Sequence, residues 1–235
     1  MTKRAPSGTR KRAPARRSTV RAAPAPRARR GATAPSADRG AETRARIVSA
    51  ALHEFADRGF EGTSTREISA LAGVNQGLIT YHFASKESLW KAAVDAMFAE
   101  LDRELEMLAV ELASLDVRGR LRALLVRWVR FVAAHPEQMR LMVQEGKSDG
   151  PRLAWLVDRH LRRFYELFDA LAREAQDAGL IDADLPRAHL YYAVIGAASL
   201  IFTAAPECRR LTGRDPLRRA IVEAHAEALL RLLLR

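Results

Sequence analysis

The chain has 235 residues, 48% of them hydrophobic and 29% charged, a length for one or two domains and a composition that can bury a core. Its formal charge of +11 is unevenly placed, because residues 1–37 hold 11 of the 39 Lys/Arg and no Asp or Glu, leaving 28 basic residues to balance all 28 acidic ones. The single cysteine, Cys208, excludes a disulfide framework and a Cys-based zinc site and suits a reducing compartment. The longest uncharged apolar run, Leu190 to Ala205, is 16 residues, short of the roughly 20 needed to span a bilayer, so it reads as a buried helix in a cytoplasmic protein without membrane contact.

Residues 1–40 form a basic tail. Ten Ala and five Pro are interspersed with the cations of residues 1–37, and Met1 and Val20 are the only larger apolar side chains, so the segment has nothing with which to build a core and is expected to be disordered. An acid-free, Arg-rich arm is attracted to polyanions by counterion release, which points to nucleic acid. A solvated extension without a role fits the same composition. An organellar transit peptide is also Arg-rich and acid-poor, but the prolines oppose its amphipathic helix. A secretory signal is excluded, because no apolar segment follows the charges.

From Ala41 the apolar positions recur at spacings of three and four with no period-2 run, which predicts an all-α fold. The first helix covers about Thr43 to Arg58, with Ile47, Ala51 and Phe55 on one stripe, Val48 and Leu52 beside it, and Gly59 as the stop. A second begins at Ser64-Thr65-Arg66-Glu67, a capping-box pattern, and ends at Ala72-Gly73. Asn75 caps a third that runs to about Phe83, and Ser85 caps a fourth that runs from Lys86 to about Ser114. Only Gly73-Val74-Asn75 separates the second helix from the third, the spacing of a helix-turn-helix over residues 64–83.

Advancing about 100° per residue along the third helix puts Gln76, Gly77, Thr80 and Tyr81 on one arc and Leu78, Ile79, His82 and Phe83 on the other. One arc is short and hydrogen-bonding, and the other is mostly apolar. A helix that lies in the major groove needs such a division, with donors and acceptors toward base edges and a small residue where the backbone comes close. A half-exposed surface helix with an incidental polar face gives the same pattern.

The segments Thr43-Arg44-Ala45-Arg46-Ile47-Val48, Phe55-Ala56-Asp57-Arg58-Gly59-Phe60, Thr63-Ser64-Thr65-Arg66-Glu67-Ile68-Ser69, Ala72-Gly73-Val74-Asn75-Gln76-Gly77 and Tyr81-His82-Phe83-Ala84-Ser85-Lys86-Glu87-Ser88-Leu89 together resemble the DNA-binding domain of the TetR family of bacterial repressors. The resemblance covers about residues 41–100. It implies a three-helix DNA-binding head followed, over residues 101–235, by a larger helical domain that binds a small molecule and dimerises. It further implies that Thr65 and Arg66 lie against phosphate or a base, that Gln76, Gly77 and Thr80 face the bases, and that Tyr81, His82 and Lys86 meet phosphate. Thr80 departs from the tyrosine most common there, which bears on the operator sequence. His82 also borders the apolar arc, so a structural role for it stands beside the phosphate contact.

Beyond Ser114, Asp116, Pro136, Pro151, Gly179, Pro186 and Asp215-Pro216 punctuate helices at about 117–134, 136–147, 151–178, 186–205 and 216–234, nine in all, as the resemblance implies. Trp128, Phe131, Met139, Met142, Trp155, His160, Phe164 and Phe168 are candidates for an apolar effector pocket, although such stripes equally describe plain core. The remaining histidines show no metal-ligand spacing, and neither a phosphate loop nor a nucleophile elbow is present, so no metal, cofactor or catalysis is expected. Ala193, Gly196, Ala197 and Ala198 permit close helix approach, while Ile221, Ala224, Ala228, Leu229, Leu232 and Leu233 form a stripe on the last helix. A second copy could cover both, or the two helices could pack within the chain. The resulting expectation is a homodimeric, effector-responsive repressor of a palindromic operator in double-stranded DNA, with a tail-dominated architectural DNA-binding protein as the alternative. An enzyme built on the helical cavity is a third reading, supported only by the aromatic residues.

Overall fold

The computed structural model describes residues 36–234. The basic tail lies almost wholly outside them, so its expected disorder is not addressed by the structure. The described residues form helices and turns with no strand: α1 (Ser36–Gly62), α2 (Thr65–Ala72), α3 (Gln76–His82), α4 (Lys86–Ala113), α5 (Val117–Ala134), α6 (Pro136–Glu145), α7 (Pro151–Leu156), α8 (Arg162–Asp177), α9 (Arg187–Thr203), α10 (Ala205–Thr212) and α11 (Arg219–Leu233).

Helix α1 starts seven residues before the expected Thr43, and its regular path breaks where anticipated, at Gly59 with φ 71°. A left-handed φ is costly for any residue with a Cβ, so glycine is suited to this kink before Phe60. The anticipated stripe is buried: Ile47 and Ala51 are fully enclosed, Phe55 is 1% exposed, and they meet Ile68 of α2, Ile79 of α3 and Leu89, Trp90 and Ala93 of α4 in one core. This is the head of the molecule. Helix α4 continues past residue 100 to Ala113, so the boundary expected there falls inside a continuous rod that belongs to head and body alike.

The body departs from the sequence expectation in three places. The helix expected over 151–178 is interrupted by a π turn at Val157–Leu161 between α7 and α8. One extra residue in a turn rotates the following side chains by about 100° against the expected face, and no sequence signal announces it. Second, α10 follows α9 at a bend of 75°. It is short and mostly polar (APECRRLT), so it lacks the apolar period that marks a helix. Third, Asp215 and Pro216 form a turn in which the Asp215 carboxylate accepts from the Leu217 N–H at 3.3 Å, and α11 starts only at Arg219. No single described helix is long and apolar enough to cross a membrane.

Head and body are joined by packing and by charge. Helix α1 packs along α6, where Arg140 pairs with Asp57 at 3.0 Å. At the start of α7, Arg152 lies 3.9 Å from the centre of the Phe60 ring and pairs with the buried Glu145 at 3.0 Å. Across the body Arg130 of α5 makes a two-pronged contact with Glu223 of α11, both N–O distances 2.8 Å. Because the head has one shared core, removing the side chain at its centre is expected to be felt throughout it: Ile47→Ala should cost about 2–5 kcal/mol in denaturant unfolding. A loss below about 1 kcal/mol would mean that the three helices do not share a core.

Candidate nucleic-acid interface and effector cavity

The turn between α2 and α3 is fixed from both sides. Ser64 accepts from the Glu67 N–H, and Glu67 in turn accepts from the Ser64 N–H at 2.9 Å, which satisfies two otherwise orphan groups at the α2 start. Arg58 of α1 holds the same carboxylate. Glu67 is therefore kept below the usual carboxylate range, first by the Ser64 hydroxyl and amide and then by Arg58. At the other end Gly73 closes α2 with φ 63°, and Arg46 of α1 donates to the carbonyls of Ala72 and Gly73 at 2.5 and 3.1 Å. A Cβ on Gly73 would stand 3.1 Å from that guanidinium, so both the backbone angle and the bracing favour glycine.

Helix α3 begins with the Asn75 side chain accepting from the Gly77 N–H at 2.8 Å. A Cβ on Gly77 would come within 3.2 Å of that oxygen, so the cap itself favours a residue without a side chain here. Ile79 and Phe83 are buried at 3% and 5%, and Tyr81 is 80% exposed, with Gln76, Gly77 and Thr80 also exposed. Leu78, on the apolar arc, is 39% exposed, because α3 is held mainly through Ile79 and Phe83.

Of the other candidate DNA contacts, Arg66 is exposed and Thr65 is half-buried, accepting from the Gln76 side-chain amide at 3.3 Å. The two helix starts are thereby linked across the turn. His82 is half-buried and edge-on to Tyr81 at 5.0 Å, on the border between the two arcs. Lys86 is also half-buried, its ammonium 4.4 Å from the centre of the Phe60 ring, the ring that Arg152 also approaches. Sequence reasoning did not single out Arg46, whose role depends on the distance across the α1–α2 corner rather than on spacing along the chain.

A cavity of about 1490 Å³ opens among α4, α5, α6, α8 and α9. It exceeds the roughly 300–1,000 Å³ of ordinary ligand sites. Trp128, Phe131, Met139, Met142, Phe164 and Phe168 line it. Trp155 and His160 do not, which corrects their assignment to this pocket. Leu153, Leu156, Val157 and Leu161 take the cavity side of the broken helix, while Trp155 and His160 turn toward α4. There Trp155 is edge-on to Trp90 at 5.6 Å, and His160 stacks on Phe98 at 4.3 Å with Nε2 2.9 Å from the Asp95 carboxylate. Burial pushes the His160 pKa down, and Asp95 only partly opposes this.

The head thus has the architecture of a helix-turn-helix transcription regulator, carried on a helical body with a cavity. Residues 47–93 match the profile described as bacterial regulatory proteins, tetR family, and residues 118–232 match that of the tetracyclin repressor-like C-terminal domain. The chain belongs to the TetR family of transcription regulators, and its relatives are regulators rather than enzymes. It is 28% identical over 192 residues to the HTH-type transcriptional repressor SCO4008 of Streptomyces coelicolor, covering 77% of this chain and 92% of the relative. It is 32% identical over 120 residues to the repressor NicS of Pseudomonas putida, covering 51% of this chain and 54% of that protein. In fold it is similar to FadR of Bacillus subtilis in complex with stearoyl-CoA, with TM-score 0.57 and 18% identity over 79% of this chain and 97% of that one.

Gly73→Ala should lower stability by about 1–2 kcal/mol from the left-handed angle alone, read by thermal or denaturant unfolding. An unchanged stability would mean that the turn is not held as described. Glu67 binds protons less readily folded than unfolded, so the capping box contributes fully above the unfolded carboxylate pKa and loses that contribution as pH falls through the lower folded value. The gap in melting temperature between the parent and Ser64→Ala should therefore narrow on acidification. A gap that does not change with pH would contradict the reciprocal Ser64–Glu67 bond.

Proposed function

We propose that the protein is an effector-responsive repressor that binds a palindromic operator as a homodimer, each α3 in one major groove. The observation that carries this reading is the division of α3: Ile79 and, just past the helix end, Phe83 are buried, while Gln76, Gly77, Thr80 and Tyr81 are exposed on the opposite side. Gln76 and Thr80 offer donors, acceptors and a methyl to base edges, and Gly77 admits close backbone approach. Arg66, Tyr81 and Lys86 flank them as phosphate contacts, with Thr65 orienting Gln76 and His82 completing the edge. In this division of the chain, residues 41–100 bind DNA, residues 101–235 bind the effector and dimerise, and residues 1–40 add nonspecific attraction. Function is placed in the cytoplasm, where the DNA is.

The dimer reading rests on the exposed sides of two helices that pack together, α9 and α11. Ala193, Gly196 and Ala197 of α9 are exposed, with nothing within 4 Å of a Cβ built on Gly196. On α11, Ala224 and Ala228 are exposed and Leu232 is 80% exposed, with Ile221 and Leu233 half-buried. Ala198 and Leu229 instead point into the chain's own core, at 0% and 5% exposure. Small residues beside a terminal apolar stripe suit an isologous four-helix contact. An effector in the cavity then acts by differential affinity: binding better to the arrangement in which the two heads miss successive grooves, it lowers occupancy of the operator.

Gln76→Ala should relax base preference among duplexes selected by the parent protein. Lys86→Ala should instead weaken all duplexes alike and flatten the salt dependence by close to one contact, about 0.9 in log–log slope, read by fluorescence anisotropy. Equal losses on selected and random DNA for both variants would contradict the division of roles. Ala197→Arg should convert a dimer to a monomer in sedimentation, and a monomeric parent would refute the dimer. Removing residues 1–37 separates this account from the tail-dominated architectural alternative: sequence-specific binding survives here, whereas nearly all affinity would be lost in the other.

A further inference from the structure

The polar groups of the cavity wall define the chemistry that it can accept. Of the charged side chains along it, Arg127 pairs with Glu104 at 2.6 Å, Arg120 with Glu174 at 2.5 Å and Arg163 with Asp102 at 3.1 Å. His135 stands between Glu100 and Glu137, at 3.5 and 3.7 Å. The remaining two lining ions, Glu106 and Lys147, lie on the exposed surface. A charged ligand head would therefore be desolvated inside without an unbalanced opposite charge to meet it. Within two of these pairs the Arg120 and Arg127 Nε–H groups are shut from solvent and unpaired, donors on guanidiniums whose charge Glu174 and Glu104 already balance. Gln138 is 5% exposed, and its amide makes only one long bond, 3.4 Å to Glu100, while its carbonyl oxygen accepts no hydrogen bond among the described residues. Tyr191 lines the same cavity, and its hydroxyl likewise has no partner among the described residues. Burial raises its pKa, so the hydroxyl keeps its proton. Beside them Trp128 holds an indole N–H that is shut from solvent and unpaired.

We infer that the cavity takes a bulky, uncharged and largely apolar molecule bearing amide, carbonyl or hydroxyl groups, with Gln138 and Tyr191 as its polar contacts, in preference to a long-chain carboxylate or a lipophilic cation. This rests on the effector-responsive reading above and gives it a ligand class. The Trp128, Arg120 and Arg127 donors are buried without a partner, which is costly, and an uncharged ligand carbonyl that reaches one recovers that cost without bringing in an unmatched charge. The wall differs in this respect from one that must hold the phosphates of an acyl-CoA, for which free cations would be needed.

The test uses the full-length chain with Nile red, an uncharged carbonyl-bearing dye that brightens in apolar surroundings, as reporter. Three competitors with the same twelve-carbon chain, dodecanamide, dodecanoate and dodecyltrimethylammonium, are titrated below their micelle concentrations. Dodecanamide should displace the dye at a concentration at least about tenfold below either ion. Gln138→Leu and Tyr191→Phe should each weaken dodecanamide by about tenfold and leave the ions unchanged, with melting curves confirming that each variant is folded. An ion that competes as well as the amide, indifference of both folded variants, or failure of the protein to take up the dye overturns the inference. Anisotropy of a selected duplex, measured in parallel, separates the two levels. An ion that both binds best and releases DNA contradicts the uncharged class alone, whereas preferential amide binding with DNA affinity untouched supports the class and counts against the effector-responsive reading.

Discussion

The burial of Ile79 within a two-turn helix and of Phe83 just past its end is the constraint on which the rest depends. A helix of seven residues is too short to be stable by itself, so its orientation is set by what it buries. Once these two residues are seated in the core shared by α1, α2 and α4, the arc carrying Gln76, Thr80 and Tyr81 has nowhere to face but outward. The caps at Ser64, Gly73 and Asn75 then fix where the helix begins, and Arg46 holds the turn against α1. Groups that must meet base edges need this kind of external support, since freedom at the tip of the helix would be lost at an entropic cost on binding.

Two continuous helices, α4 and α6, join the body to that head. Helix α4 contributes Trp90 to the head core and Phe98, Leu101 and Leu105 to the cavity wall. Helix α6 carries Gln138, Met139 and Met142 on the cavity side and Arg140 against Asp57 of α1. Each of these elements touches both the cavity and the head, so a repacking around a ligand has a short mechanical route to α1 and α4. Close packing makes such interfaces settle into discrete arrangements rather than bend gradually.

Much of the head was legible in the sequence because local chemistry decides it. Ser64 with Glu67, Gly73, Asn75 and Ser85 each announce a helix end through a specific hydrogen bond or backbone angle, and the stripe of Ile47, Ala51 and Phe55 announces what it buries. The body was less legible where the determinants are tertiary. The π turn at Val157–Leu161 shifts register with no residue type to mark it, and so Trp155 and His160, aromatic and well spaced, belong to a contact with Trp90, Phe98 and Asp95 rather than to the cavity. Helix α10 is short and polar, and its existence depends on the bend after α9. The part-paired Gln138 and the Tyr191 hydroxyl could not be recognised before their neighbours were known, because an unmet hydrogen bond is a property of the surroundings and not of the residue.

The central claim is that the outward arc of α3, presented twice by a symmetric pair, reads DNA sequence. Selection of bound duplexes from a random library by the full-length protein tests it most directly. The account predicts enrichment of a short inverted repeat whose half-sites lie about one helical turn apart, 10–10.5 base pairs centre to centre or a multiple of it. Recovery of fragments with no shared sequence would contradict it.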